Sequence, residues 1–200
     1  MNTKLAGVAR VLFAVSAVLG TACGSTKTEP TEPTPKVAAA PEYAATATIK
    51  DIMKSFVDPS ADVVWNAVHS VVGPKGIQEV MPKTDEEWEE TRAGAIRLVE
   101  ATNLLLMPGR HVAGPGEKSE APEAELEPEQ MEVLINQDRQ AWNKRVKDLH
   151  DVAAEVLRAI DKRDTDAIFE IGERIDEKCE ACHTHYWYPN QKLPPGYDRP

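Results

Sequence analysis

Apolar residues recur every three or four positions through most of residues 44–189. One face of a helix repeats at that spacing, whereas a half-buried strand alternates at every second residue. The helical pattern covers residues 46–72, residues 84–107, residues 129–161 and the stretch after Asp164. No segment alternates like a strand over any length. The sequence therefore predicts an all-α fold, an antiparallel four-helix bundle over residues 44–189.

Capping and turn residues indicate where these helices begin and end. Thr84 and Glu87 have the spacing of a capping box, which satisfies free amides at a helix start. In the first segment, Asp58-Pro59 predicts a kink or restart, with Asp58 as N-cap and Pro59 as the first helical residue. The three residues 162–164 form a short turn, so the third and fourth helices should be antiparallel neighbours. Residues 108–128 are rich in Gly, Pro and Glu and predict a solvated acidic loop.

The N-terminus has the pattern of an export signal. Lys4 and Arg10 supply positive charge, residues 11–19 are apolar, and small residues precede Cys23. We predict a signal peptide over residues 1–22, of the lipoprotein type, with Cys23 as the lipidated residue. Ordinary cleavage after Ala22 is the alternative. The predicted location is the periplasm, with the protein held at a membrane through lipidated Cys23.

Residues 23–43 are rich in Thr, Pro and Glu and have no apolar period. Such a segment cannot bury enough apolar surface to fold, so we predict a disordered tether. Residues 190–200 are predicted to be a C-terminal tail. The formal net charge is −10, which makes nucleic acid and anionic lipid poor partners. A protein with a basic docking patch is a better partner, because complementary charge speeds encounter.

The last predicted helix carries the motif Cys179-Glu180-Ala181-Cys182-His183. Positions i, i+3 and i+4 share one face of a helix, so both sulfurs and the imidazole can reach one porphyrin. The motif predicts one covalent haem c, with thioethers at Cys179 and Cys182 and with His183 as the proximal iron ligand. A zinc site, a redox-active thiol pair and a structural disulfide are the alternatives. The zinc site lacks a fourth ligand at a suitable spacing. No predicted strand precedes the motif, as a redox-active pair would require, and a disulfide between these two cysteines would be strained within a helix.

With this motif near the C-terminus of four helices, the chain resembles the class II cytochromes c over residues 44–189. The resemblance implies a four-helix bundle and an exported protein that contains iron. Tyr186, three residues after His183, matches an aromatic position common in the family. Trp187 stands where many members have Arg, so contacts of that Arg are not carried over. The family also implies a dimer through the first two helices.

The ligand at the sixth coordination position of the iron distinguishes two functions among the class II cytochromes c. In the low-spin branch, a Met on the first helix completes the coordination, and Met53 is the candidate for that ligand. Met and His ligation suits a one-electron carrier. The alternative is a five-coordinate cytochrome c′-type protein that binds nitric oxide or carbon monoxide, with Met53 only packed in the apolar stripe. We do not predict an enzyme, because a peroxidase would need a distal acid–base pair and the sequence offers no convincing one.

Overall fold

A computed structural model describes residues 43–192, and this part of the chain is mostly helical. The predicted signal peptide of residues 1–22, the lipidation at Cys23 and nearly all of the tether lie outside the described residues. Most of the predicted C-terminal tail also lies outside them. Among the described helices, none combines the length and apolar character that crossing a bilayer requires.

The first predicted helix consists of three pieces. Helix α1 (Ile49–Ile52) starts at a capping box of Thr48 and Asp51, a π-helix follows (Met53–Val57), and α2 (Asp58–Ala67) continues. Pro59 has no N–H and cannot close an α-helical bond four residues back. The backbone widens there, and the Asp58 N–H bonds the Met53 carbonyl. The predicted break is therefore a π-helix, and the prediction of Asp58 as N-cap was wrong.

The chain forms a β-hairpin where the helical stripe was expected to continue to residue 72. Strands β1 (His69–Gly73) and β2 (Gly76–Val80) pair antiparallel, with Val72 opposite Ile77. The prediction of no strands was therefore wrong. Val72 and Ile77, on one face, are 82% and 72% exposed, and Val71, on the other face, is 44% exposed, so neither face of the hairpin is buried. A strand without a buried face leaves no alternation in the sequence.

Helix α3 (Asp85–Leu106) begins as predicted, because Thr84 caps it and Glu87 completes the capping box. Its C-terminal end is held by Arg139, whose guanidinium donates to the Leu106 carbonyl at 3.0 Å. Near its middle, α3 lies very close to α2 at Gly94. An added Cβ at Gly94 would stand 2.5 Å from Cγ1 of Val63.

The third predicted helix is divided at Asp138. Helix α4 (Pro128–Gln137) ends there and α5 (Arg139–Asp161) begins, because the Asp138 carboxylate accepts the Ala141 N–H at 2.9 Å. A side chain that bonds its own backbone in this way competes with helix continuation. After a turn in which Arg163 has a φ of 55°, α6 (Thr165–Tyr186) returns along α5. The predicted neighbour relation of these two helices is confirmed.

Helices α2, α3, α5 and α6 enclose the core. Helix α3 packs on α2 and α5, α5 packs on α6, and α6 also contacts α2. The largest fully buried apolar side chains come from all four helices: Val64, Leu98, Leu105, Val156, Ile168 and Ile175. This core holds the last two turns of α6, where the cysteine and histidine motif lies.

Candidate functional site

The motif residues lie on one face of α6 near its C-terminal end. Cys179, Cys182 and His183 are all half-buried, and all three line a single cavity of about 440 Å³. This volume lies within the roughly 300–1,000 Å³ that small-molecule sites occupy. The helix thus brings two sulfurs and one imidazole to the same wall, as the spacing predicted.

The remaining walls of this cavity are largely apolar. The first helical segment, α5 and α6 supply most of them, through Val57, Ala61, Trp142, Val146, Leu149 and Tyr186. Trp142 is fixed by a hydrogen bond from its indole N–H to the Leu105 carbonyl at 3.1 Å. Its ring also meets the Tyr186 ring edge-on, with centroids 5.2 Å apart. These rigid aromatic walls suit a flat apolar ligand.

The two cysteines are free thiols rather than a disulfide. Burial raises the pKa of Cys179 to about 12 and that of Cys182 to about 11. Both therefore carry their protons at neutral pH, unlike the thiolates of a redox-active pair. Within residues 43–192, no group of three His, Cys, Asp or Glu side chains is arranged to hold a metal ion.

His183 is oriented by residues on both sides of it. Burial lowers the pKa of His183, so the neutral imidazole keeps a lone pair for a ligand. Its Nδ1 lies 4.0 Å from Oε1 of Glu180. The Tyr188 hydroxyl donates to the same carboxylate oxygen at 2.5 Å, and the Trp187 ring contacts the imidazole edge-on. At 4.0 Å the Glu180 carboxylate is too far to accept a hydrogen bond from Nδ1, so it acts on the imidazole through its charge.

Two methionines line the cavity. Met53, the predicted sixth ligand, is half-buried at the start of the π-helix. Met131 of α4 lines the same cavity, although Met53 alone is the methionine ligand that the sequence predicts. The break at Asp138 allows α4 to turn toward the motif, and nothing in the helical period signalled that break. Of the other histidines, none lines this cavity.

A loop closes the cavity between the first helical segment and the end of α6. The Leu126 N–H donates to the Trp187 carbonyl at 2.7 Å, and the Lys50 N–H donates to the Val112 carbonyl at 3.0 Å. Lys50 pairs with Glu117 across the loop at 3.5 Å. Charged side chains of both signs line the same cavity as the motif: Lys50, Lys54, Lys118, Lys178, Asp58, Glu120, Glu125, Asp176 and Glu180. The cavity thus has largely apolar walls and charged groups of both signs among its lining residues.

One buried polar atom in this cavity is unsatisfied. The Tyr186 hydroxyl is buried and has no hydrogen-bond partner of normal geometry within the described residues. Burial raises the pKa of Tyr186, although the nearby Arg145 opposes this. Arg145 itself donates to the Ala181 carbonyl, inside the motif, at 2.8 Å. A buried donor without a partner is rare in folded proteins, and a bound ligand or an ordered water would complete the bonding of this hydroxyl.

No protein-family model matches the chain, no curated protein is significantly similar to it, and no solved structure shares significant similarity.

Proposed function

We propose that this chain is an exported c-type cytochrome that carries single electrons. In this proposal, α2, α3, α5 and α6 form the antiparallel four-helix bundle of a class II cytochrome c. One haem is attached at Cys179 and Cys182, with His183 as proximal ligand. The observation that carries the proposal is the common cavity: both sulfurs, the imidazole and Met53 line it.

The residues around the cavity fit a haem in three respects. The apolar walls match the porphyrin faces, and the neutral His183 matches the iron. The unsatisfied Tyr186 hydroxyl offers a hydrogen bond that no described residue accepts.

When bound, a haem supplies an iron that changes oxidation state by one electron. The protein residues serve to hold and shield that centre. The two thiols would hold the porphyrin at the last turns of α6, and Trp142 and Tyr186 would exclude water from its apolar side. The Glu180 carboxylate, held by Tyr188, lies 4.0 Å from Nδ1 of His183, so its negative charge would act on the imidazole that holds the iron. Met53 is the proposed sixth ligand, and its thioether together with His183 would raise the reduction potential of the iron.

The proposal extends to location and partners. A signal peptide would export the chain, and lipidated Cys23 would hold it at a membrane in the periplasm. Redox partners with basic patches would bind weakly and briefly, as electron-transfer complexes do. We propose no enzymatic activity.

Haem attachment is tested on the exported protein, denatured and extracted with acidic solvent to remove loose pigment. We expect the colour to stay with the polypeptide. The double variant Cys179→Ser with Cys182→Ser should lose it, whereas Cys23→Ser, the matched cysteine outside the motif, should keep it. A wild-type protein that loses all colour on extraction would overturn the proposal.

A further inference from the structure

A second groove lies between α2 and α6, with a volume of about 590 Å³. Its apolar floor comes from both helices and from the residue that follows α2: Val64, Trp65, Val68, Ile168 and Phe169. Phe169 is 47% exposed, which is unusual for so large an apolar side chain. A groove of this kind leaves apolar area that a partner could cover.

Carboxylates line one side of this groove. Glu173, Asp176 and Glu177 lie on successive turns of α6 and are exposed. None of the three forms an ion pair within residues 43–192. No lysine or arginine of the described chain lines the groove. The groove is therefore apolar at its floor and negative along its rim.

Only one layer of side chains separates this groove from the haem cavity. Trp65 and Asp176 line both spaces. The Trp65 indole N–H donates to the Gly172 carbonyl at 3.0 Å, which holds the ring in place. The absence of a side chain at Gly172 permits this contact, because a Cβ there would stand 3.3 Å from Cδ1 of Trp65. A molecule docked in the groove would lie one indole away from the cavity.

We propose that this groove is the docking surface for a basic redox protein. Lysines or arginines of the partner would pair with Glu173, Asp176 and Glu177, and an apolar side chain among them would pack on Trp65 and Phe169. Charge complementarity favours a basic partner, because an acidic or neutral partner surface would leave the carboxylates of Glu173, Asp176 and Glu177 unpaired beside the interface. The inference rests on the proposed function, because the docked partner would exchange one electron with the haem.

The location is tested first with hexaamminechromium(III), a paramagnetic cation that broadens nuclear magnetic resonance signals near its binding site. We expect broadening of the Trp65 indole N–H and of Gly172 at low ionic strength. The variant Glu173→Gln with Glu177→Gln should lose this broadening. The control Glu89→Gln with Glu90→Gln, which removes two exposed carboxylates from α3, should keep it. Broadening centred elsewhere, or equal loss in the control, would overturn the assignment.

The apolar part is tested with two short lysine-rich peptides that differ only in a central leucine or serine. The leucine peptide should bind more tightly to the wild-type protein, and Phe169→Ala should remove the difference. Equal binding of both peptides to the wild type would refute an apolar contact in the groove.

Electron exchange is tested with hexaammineruthenium(II), which is oxidised to ruthenium(III) as the ferric protein is reduced by one electron. The rate at low salt should fall about tenfold in the double carboxylate variant and stay unchanged in the control. An unchanged rate in the carboxylate variant would refute the docking assignment. Since the chromium and peptide experiments need no colour, a colourless protein that still binds both probes in the groove would overturn the proposed function alone.

Discussion

Replacing Met53 by leucine separates its proposed role as an iron ligand from its role in packing. Met53 is half-buried and packs against the core. A Met-to-Leu exchange conserves volume and costs less than about 1.5 kcal/mol. For a chain of this length, that cost lowers the melting temperature by at most about 6 °C. The variant therefore stays folded at room temperature, and any spectral change reports the lost sulfur.

Met131 supplies the matched control, because it lines the same cavity and is also half-buried. We expect the ferric wild-type protein to be low-spin, with the weak far-red band of methionine-ligated haem. Met53→Leu should abolish that band and speed carbon monoxide binding to the reduced protein, whereas Met131→Leu should leave both unchanged. If only Met131→Leu removes the band, the ligand is Met131. A high-spin wild-type spectrum would refute methionine ligation and favour a five-coordinate protein of the cytochrome c′ type.

Three further predictions concern the packing of α2, the environment of the motif and the loop over the cavity. Gly94→Ala should lower the melting temperature by several degrees in circular dichroism. The clash of the added methyl group with Val63 costs about 1–3 kcal/mol of folding free energy, which exceeds the roughly 1 kcal/mol that alanine gains over glycine in helix propensity. An unchanged melting temperature would contradict the close packing of α2 on α3 at Gly94. Glu180→Gln should raise the reduction potential of the haem in a redox titration, because the negative charge of Glu180 near His183 would favour the ferric state. A lower potential in the variant would argue against this effect of Glu180. Burial raises the pKa of Glu125, but hydrogen bonds from the loop lower it more, so the net pKa lies below its ordinary value. The carboxylate therefore stabilises the fold at neutral pH, and this stabilisation is lost as the pH falls through the lowered pKa. The backbone amides of Glu120 and Ala121 donate to Glu125, and their protection from hydrogen exchange, corrected for the intrinsic exchange rate, should fall in acid in the wild-type protein. In Glu125→Ala this protection should be low at every pH. Equal protection in the wild type and the variant would refute the role of Glu125.

The parts of the fold that the sequence predicted correctly depend on local chemistry. The capping box at Thr84 and the turn before α6 are decided by residues close in the chain, so their positions are confirmed. The helical face shared by Cys179, Cys182 and His183 follows in the same way from their spacing. The mostly helical character is also confirmed.

The errors arose where a competing local preference left no mark on the apolar period. The hairpin buries neither of its faces, so Val71 and Val72 appeared to continue a helical stripe. Asp138 looked like one more polar residue on a helix surface, yet it ends α4 by bonding the backbone of α5. The place of Met131 in the cavity followed from that break and could not be inferred without it.

Both departures from regular helix lie in the walls of the same cavity. The π-helix places Met53 and Val57 on one side of it. The break at Asp138 separates Ile135 from Trp142, and both of these line it. A regular α-helix through the π-helical region would present a different face to α6, because the extra residue of a π-helical turn rotates the following side chains by about 100° at 3.6 residues per turn. At Asp138 the non-helical backbone changes the direction of the chain between α4 and α5. π-Helical turns are frequent at functional sites, and sequence rules tend to fail where a site requires an irregular backbone. The two irregularities therefore support the cavity beside Cys179, Cys182 and His183 as the functional centre, independently of the motif that first indicated it.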